Sequence, residues 1–346
     1  MILGAKECRV GYIAGYMSDP GSLVGTLVGG RYTLTKVLGQ GGMGEVYEAE
    51  GKNGAKAALK ILHERAARDK DLVARFEREA KIAAQIKSPY VAQILGAGKD
   101  RNGRLWIAFE RLFGEGLDTR LKREQYLSFL EVAPIVDDAL QGLIAAHDAF
   151  VIHRDIKPAN LFVERVQPPP PPGELQERTR ILDFGISKVR QKESNEPSLT
   201  AFDATLGSFA YMAPEQVRGS ARVDERADLY ALGAVAFRSL AGRLPFEGTN
   251  ALTLIALKLD RDPPTLASIT GDDWPQPLEK FLARMMARDR EQRIATAREA
   301  LAEWQVVCER MGNSPSRTKQ SVPVTPSSAP APDDLDVTIV SDDDDF

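Results

Sequence analysis

Short apolar blocks separated by glycine-rich turns fill the first third of the chain. Tyr32-Thr33-Leu34 leads through Val37-Leu38 into Gly39-Gln40-Gly41-Gly42-Met43-Gly44, and Glu45-Val46-Tyr47-Glu48-Ala49 reads as extended backbone. Gly51-Lys52-Asn53-Gly54 is a hairpin signal, and Ala55 to Leu62 returns as another strand. Leu72, Phe76, Ala80 and Ala83 then recur at helical spacing, which predicts a helix over about 64–87. Ser88-Pro89 ends it, because a residue before proline avoids helical backbone. Val91 to Gly98 and Arg104 to Phe109 flank a second hairpin at Asn102-Gly103. From Phe129 onward the pattern is mostly helical. Strands first and helices later predict an α+β protein with a small β-rich lobe and a larger helical lobe.

Composition divides the 346 residues into three regions. Residues 1–28 are Gly-rich and weakly patterned, and read as an N-terminal extension. Met17 opens a stretch that reads like an ordinary start, which makes residues 1–16 a candidate mis-assigned start. Residues 29–310 have the mixed, periodic pattern of one large bilobal domain. Residues 311–346 hold 5 Pro, 6 Ser, 3 Thr and 7 Asp and cannot bury enough apolar surface to offset chain entropy, so a disordered acidic tail is expected. The formal charge of −4 argues against a broadly basic nucleic-acid binder, and the tail, with seven aspartates against Arg317 and Lys319, accounts for that acidity. Cys8 and Cys308 form no disulfide framework, and His63, His147 and His153 are too scattered for a Cys/His metal site. Lys6, Glu7 and Arg9 interrupt any signal-peptide core, and no apolar run is long enough to span a bilayer. The expectation is a soluble, cytoplasmic protein.

Gly39-x-Gly41-x-x-Gly44 is shared with dinucleotide-binding folds, but there a helix follows the third glycine. Here a strand and a hairpin follow, so the segment reads as a strand–loop–strand flap able to close over phosphates. Lys60 ends the apolar stretch Ala57-Ala58-Leu59 and places a cation where a strand stops. Its candidate partner is Glu79 on the following helix, with Glu77 as rival two positions away on another face. His153-Arg154-Asp155-Ile156-Lys157-Pro158-Ala159-Asn160 puts an acid, a cation and an amide between two short apolar stretches. Such a set suits phosphoryl transfer: a carboxylate orients a hydroxyl, a lysine neutralises phosphate charge and an amide holds a metal. Ile181-Leu182-Asp183-Phe184-Gly185 adds a second carboxylate at the end of a short strand.

Together with Ala213-Pro214-Glu215 and Asp224-Glu225-Arg226-Ala227-Asp228-Leu229-Tyr230, these motifs resemble the eukaryotic-type (Hanks-type) protein kinases, and more narrowly the bacterial serine/threonine kinases. The resemblance covers about residues 31–305. It implies a bilobal fold, with the small lobe at 29–110 and the large lobe at 113–310. It implies ATP with Mg²⁺, or Mn²⁺ in its place, as cofactors. Asp155 resembles the catalytic base and Lys157 the phosphate-contacting lysine. Asn160 and Asp183 resemble the metal ligands, and Lys60 the lysine on the α/β-phosphates, held by Glu79. Gly39, Gly41, Gly44, Val46 and Ala58 fall in the nucleotide-binding positions of the small lobe. Phe109 stands at the gatekeeper position, and Glu110-Arg111-Leu112 at the hinge. Asp228 matches the buried anchor of the catalytic loop, and Glu215 is expected to pair with Arg293. By the same resemblance His153 packs beneath Phe184 rather than acting as a base; His63 and His147 have no evident partner.

Lys157, two residues after Asp155, resembles serine/threonine rather than tyrosine kinases. Gly207-Ser208 matches the substrate-docking loop, with serine for the usual threonine. Arg154 implies activation by phosphate on the segment between Asp183 and Glu215, where Thr200 is the expected main autophosphorylation site and Thr205 the second, with a homodimer as the arrangement for that reaction. Two departures stand out. Pro168–Pro172 lie in an insertion at 166–176, expected as a polyproline II spike that is either a tolerated surface insertion or a docking site for a partner. Thr338 in the acidic tail resembles a phosphothreonine ligand of forkhead-associated domains, the plainer reading being a solubilising end. The expected function is transfer of the ATP γ-phosphate to protein Ser/Thr hydroxyls, without nucleic-acid partners. The alternatives are a pseudokinase scaffold working through the proline insertion and tail, and a small-molecule phosphotransferase, which would lack Ala-Pro-Glu and the Lys157 spacing.

Overall fold

The structure, a computed structural model, describes residues 23–41, 44–62, 70–166, 176–184, 206–219, 223–248 and 250–312. The N-terminal lobe is an antiparallel sheet of β1 (Leu27–Val28), β2 (Tyr32–Gly41), β3 (Gly44–Gly51), β4 (Lys56–Leu62), β5 (Ile94–Lys99) and β6 (Leu105–Glu110), in the order β1-β2-β3-β4-β6-β5. One helix, α1 (Lys70–Ala83), accompanies it. The helix is shorter than the periodicity suggests. Residues 63–69 lie outside the described residues, and past Ala83 the turn tightens as Gln85 N–H donates to Ile82 O. The sheet also begins within the segment read as an extension. Leu27 pairs with Thr33, and Val28 is fully buried.

Strand alternation sorts β3, β4 and β6 into two faces. Tyr47, Leu59, Ile61, Trp106 and Ala108 form a compact outer core. Val46, Ala58, Ile107 and Phe109 face inward and join the core that continues through the helical lobe. Register places Val46 and Ile107 opposite Lys60, so the amine shares their face. Gly44 has a packing reason besides any ligand: a Cβ there would strike the Ile61 carbonyl.

The C-terminal lobe is built on α3 (Phe129–Asp148) and α6 (Arg226–Ala241). Ser128 and Glu131 cap α3 reciprocally, each side chain bonded to the other's backbone N–H. α9 (Gln276–Met285) and α10 (Ala297–Met311) cover it, and the fully buried Trp304 stacks its ring 5.6 Å from Phe129 and 5.0 Å from Phe281. A second sheet lies between the lobes, with β7 (Gly114–Gly116), β8 (Leu161–Arg165) and β9 (Glu177–Ile181) in order, β7 leading into α2 (Leu117–Glu124). Val166 N–H donates to Gln176 O and closes the stem of the proline-rich insertion, whose residues 167–175 lie outside the described residues. Gly142 lets α3 approach β9: a Cβ there would sit 2.8 Å from Ile181 Cδ1 and 2.9 Å from Tyr90 O.

Asp138 on α3 caps the same strand, accepting the Thr179 N–H at 2.7 Å. Burial pushes its carboxyl up to about 6, against the opposing pull of that N–H. Between pH about 4 and 6 the unfolded chain releases this proton while the fold retains it, so this group's contribution falls as pH rises through that window and stays low above it. Asp138→Asn is therefore expected to raise stability by about 2–3 kcal/mol at pH 8 and to gain little near pH 4. Thermal unfolding of both proteins at the two pH values checks this; an equal shift at both would reject it.

Candidate active site

The loop between α3 and β8 carries the predicted catalytic residues, and its shape is set by one buried carboxylate. Asp228, fully buried near the start of α6, accepts the His153 N–H through Oδ2 at 2.8 Å and the Arg154 N–H through Oδ1 at 2.7 Å. These bonds hold Arg154 at φ +64°, a region that costs a residue with a Cβ about 1–3 kcal/mol. His147 Nε2 lies 3.0 Å from Asp228 Oδ2. Burial alone would raise the Asp228 carboxyl, but His147, with smaller effects from His153 and the Arg154 N–H, outweighs it and holds it below the ordinary carboxylate range. His147, which the sequence left without a partner, thus belongs to the anchor.

His153 joins the loop to the strand end beyond it. Its Nδ1 accepts the Asp155 N–H at 3.2 Å, which leaves Nε2 to donate to Leu182 O at 2.7 Å. Its ring packs 4.7 Å from Phe184, as the resemblance implied. Asn160 closes the loop, its Nδ2 donating to Asp155 O at 2.8 Å and Asp155 Oδ2 at 3.2 Å. Lys157 Nζ lies 3.5 Å from the same Oδ2. Leu182 N–H donates to Asn160 O at 3.0 Å, so the residue before Asp183 is tied to Asn160. Asp183 itself sits at φ +50° and pairs with Lys60 Nζ. The structure therefore brings Lys60, Asp155, Lys157, Asn160 and Asp183 into one linked cluster where the N-terminal sheet meets the C-terminal lobe.

A protein kinase domain model matches residues 32–304. The chain belongs to the protein kinase family. This kinase domain is 34% identical over 332 residues to serine/threonine-protein kinase pkn3 of Myxococcus xanthus, covering 93% of the present chain and 59% of that protein. It is 35% identical over 305 residues to PknF of Mycobacterium tuberculosis, covering 85% of the present chain and 59% of PknF. The chain thus spans 59% of the length of each of these two relatives. The crystal structure of the Mycobacterium tuberculosis PknI kinase domain superposes with a TM-score of 0.62 at 28% identity, covering 82% of this chain and 98% of that one. Use of ATP and a divalent metal is general to the family.

The residues of the kinase cleft fit a hard divalent cation. Asn160 Oδ1 is buried without a hydrogen-bond partner, and the Asp183 carboxylate, paired with Lys60, would supply a second oxygen donor. Phe109 is buried on β6 opposite Ala58. Leu112 is buried, and Arg111 is held by Glu48 at 2.9 Å. Glu110 is bound by a residue the sequence did not single out. Arg180 on β9 pairs with Glu110, donates to Glu164 Oε2 at 2.9 Å and donates to Val91 O at 3.0 Å. Burial raises the Glu110 carboxyl, with Arg180 opposing it. Glu79 lies on α1, but its side chain, like that of Ser208, falls outside the described residues, as do Gly42 and residues 185–205 with Thr200 and Thr205.

Proposed function

We propose that this chain is an ATP-dependent serine/threonine protein kinase. The observation that carries the reading is the loop in which Asp155 is joined to Asn160 and faced by Lys157 at 3.5 Å, next to Asp183. Asp155 would accept the proton of the substrate hydroxyl as its oxygen–phosphorus bond forms and the bond from the γ-phosphorus to the ADP oxygen breaks. Lys157 would offset charge on the transferred group, and Lys60 would hold the α/β-phosphates. Asn160 Oδ1 and Asp183 would hold Mg²⁺, or Mn²⁺ in its place. The bound cation supplies neutralisation of the phosphate charge; the protein supplies position and excludes water. The backbone of Glu110–Leu112 would meet the adenine beneath Phe109, with Val46 and Ala58 above it and the Gly39, Gly41, Gly44 flap over the phosphates.

Named relatives are serine/threonine kinases, which supports protein hydroxyls as substrates and gives no support to a pseudokinase scaffold. Among the described residues no helix is long and apolar enough to cross a membrane, which fits a cytoplasmic enzyme. Autophosphorylation at Thr200 and Thr205 in a transient homodimer, a forkhead-associated partner at Thr338 and a docking partner at Pro168–Pro172 rest on sequence resemblance alone, and all lie outside the described residues.

Incubation of the purified protein with labelled ATP, Mg²⁺ and a generic basic protein tests the reading. Phosphoserine and phosphothreonine are expected on the added protein, label at Thr200 or Thr205 on the kinase, and none in EDTA. Binding of ATP without transfer to any protein would reject the reading in favour of the scaffold.

A further inference from the structure

The stretch between Ser208 and Glu215 leaves two carbonyls that its own backbone cannot satisfy. It begins as α4 (Leu206–Tyr211) and resumes as α5 (Pro214–Val217). In a continuous helix the Ala210 carbonyl would receive the N–H of residue 214, but that residue is proline. The Ala213 N–H is diverted to Gln216 Oε1 at 2.9 Å, and the Gln216 N–H bonds Ala213 O rather than Met212 O. A buried carbonyl left without a donor loses the hydrogen bond it had to water and gains nothing in return.

Lys258 supplies both missing donors. It lies on α7 (Ala251–Asp260), only 1% exposed, and its Nζ donates to Ala210 O at 2.6 Å and to Met212 O at 2.8 Å. The amine stands 5.2 Å from the centroid of the Tyr230 ring on α6. Burial, with a smaller effect from Arg293, pushes its pKa down to about 7, so it is held at little charge cost near neutrality. Ala210 packs with Phe246 and Leu254 in a cluster of its own, while Tyr211 and Ala213 on either side of Met212 reach the main core. At its other end the stretch reaches the catalytic loop, because Gln216 Nε2 donates to Arg154 O at 2.9 Å, one residue before Asp155.

We propose that Lys258 is a positioning residue for protein substrate, clamping the 210–212 turn so that the substrate-docking segment keeps a fixed register on the catalytic loop. The proposal rests on the kinase reading above. A clamp on this turn acts on the protein substrate and leaves unaffected the glycine flap, Lys60 and the 110–112 segment that would hold most of ATP. Lysine suits the position because one flexible amine can bond two carbonyls facing the same way.

The test compares wild type with Lys258→Met, which keeps length and volume and loses the donors, and with Lys258→Gln, which keeps one amide donor group. KM is measured for a basic protein substrate and separately for ATP, together with hydrogen exchange over 206–216. Lys258→Met is expected to raise the protein KM about tenfold, the equivalent of one hydrogen bond, with the ATP KM unchanged. Faster exchange is expected in 206–216 but not in α6. Lys258→Gln is expected to fall between the two, and it decides the matter if Lys258→Met does not fold. An unchanged protein KM, or equal rises in both KM values, overturns the proposal. A wild type that binds ATP but transfers no phosphate rejects the kinase reading instead, and exchange over 206–216 then decides the clamp by itself.

Discussion

Replacing Asp155 with asparagine is expected to lower kcat on a protein substrate by about 10²–10⁴-fold, the usual contribution of a general base. The change is nearly isosteric. The backbone bonds that shape the loop, from His153 N–H and Arg154 N–H to Asp228 and from Asn160 Nδ2 to the residue 155 carbonyl, do not involve the altered group. What disappears is the carboxylate facing Lys157 and Asn160 Nδ2. An amide oxygen still accepts a hydrogen bond but takes up no proton. On the proposed reading the lost group serves the transferring hydroxyl, so ATP affinity should stay within about threefold. Steady-state rates and an ATP titration on both proteins check the two halves. A loss of less than tenfold would remove Asp155 from the role of base.

The second large effect is on stability. Arg293→Met is expected to cost about 3–5 kcal/mol, because it strands a buried carboxylate. Arg293 Nη1 and Nη2 donate to the two oxygens of Glu215 at 2.6 and 2.8 Å, and its Nε donates to Ala287 O at 2.7 Å. The guanidinium also lies 4.9 Å from the centroid of Tyr230. The double variant Glu215→Leu with Arg293→Met should recover much of the loss, since a buried pair replaced by apolar groups is often close to neutral. Thermal or urea unfolding of the two single variants and the double variant measures the coupling. Additive losses would mean the ion pair contributes only as two independent contacts.

The catalytic loop was legible because its chemistry is local. Asp155, Lys157 and Asn160 lie within six positions, and Asp183 follows a short apolar strand. The strand–flap–strand pattern separated this glycine loop from a dinucleotide fold for an equally local reason. What escaped the sequence was the support. His147 meets a carboxylate 81 positions away, and Arg180 reaches Glu110 across 70. Lys258 sits in Ala251-Leu252-Thr253-Leu254-Ile255-Ala256-Leu257-Lys258, where it reads as an ordinary helix residue. Its partners are backbone carbonyls, which any residue type could supply, so no side-chain pattern announces them. The β1 strand, two residues long, gave no period to read.

The alternation along β4 has a consequence for how the chain folds. Leu59 and Ile61 belong to the outer core, and Lys60 between them faces the cleft. A slip of β4 by one residue against β3 would exchange these faces and drive an amine among Tyr47, Trp106 and Ala108. The Glu45 carboxylate at that cluster already accepts from the Tyr47 hydroxyl and from Gln40 Nε2, and a buried polar group without a partner costs about 2–7 kcal/mol. An all-apolar strand of the same length would tolerate the slip far better. The charge proposed to meet phosphate therefore also proofreads strand pairing, discarding the wrong register before any ligand arrives.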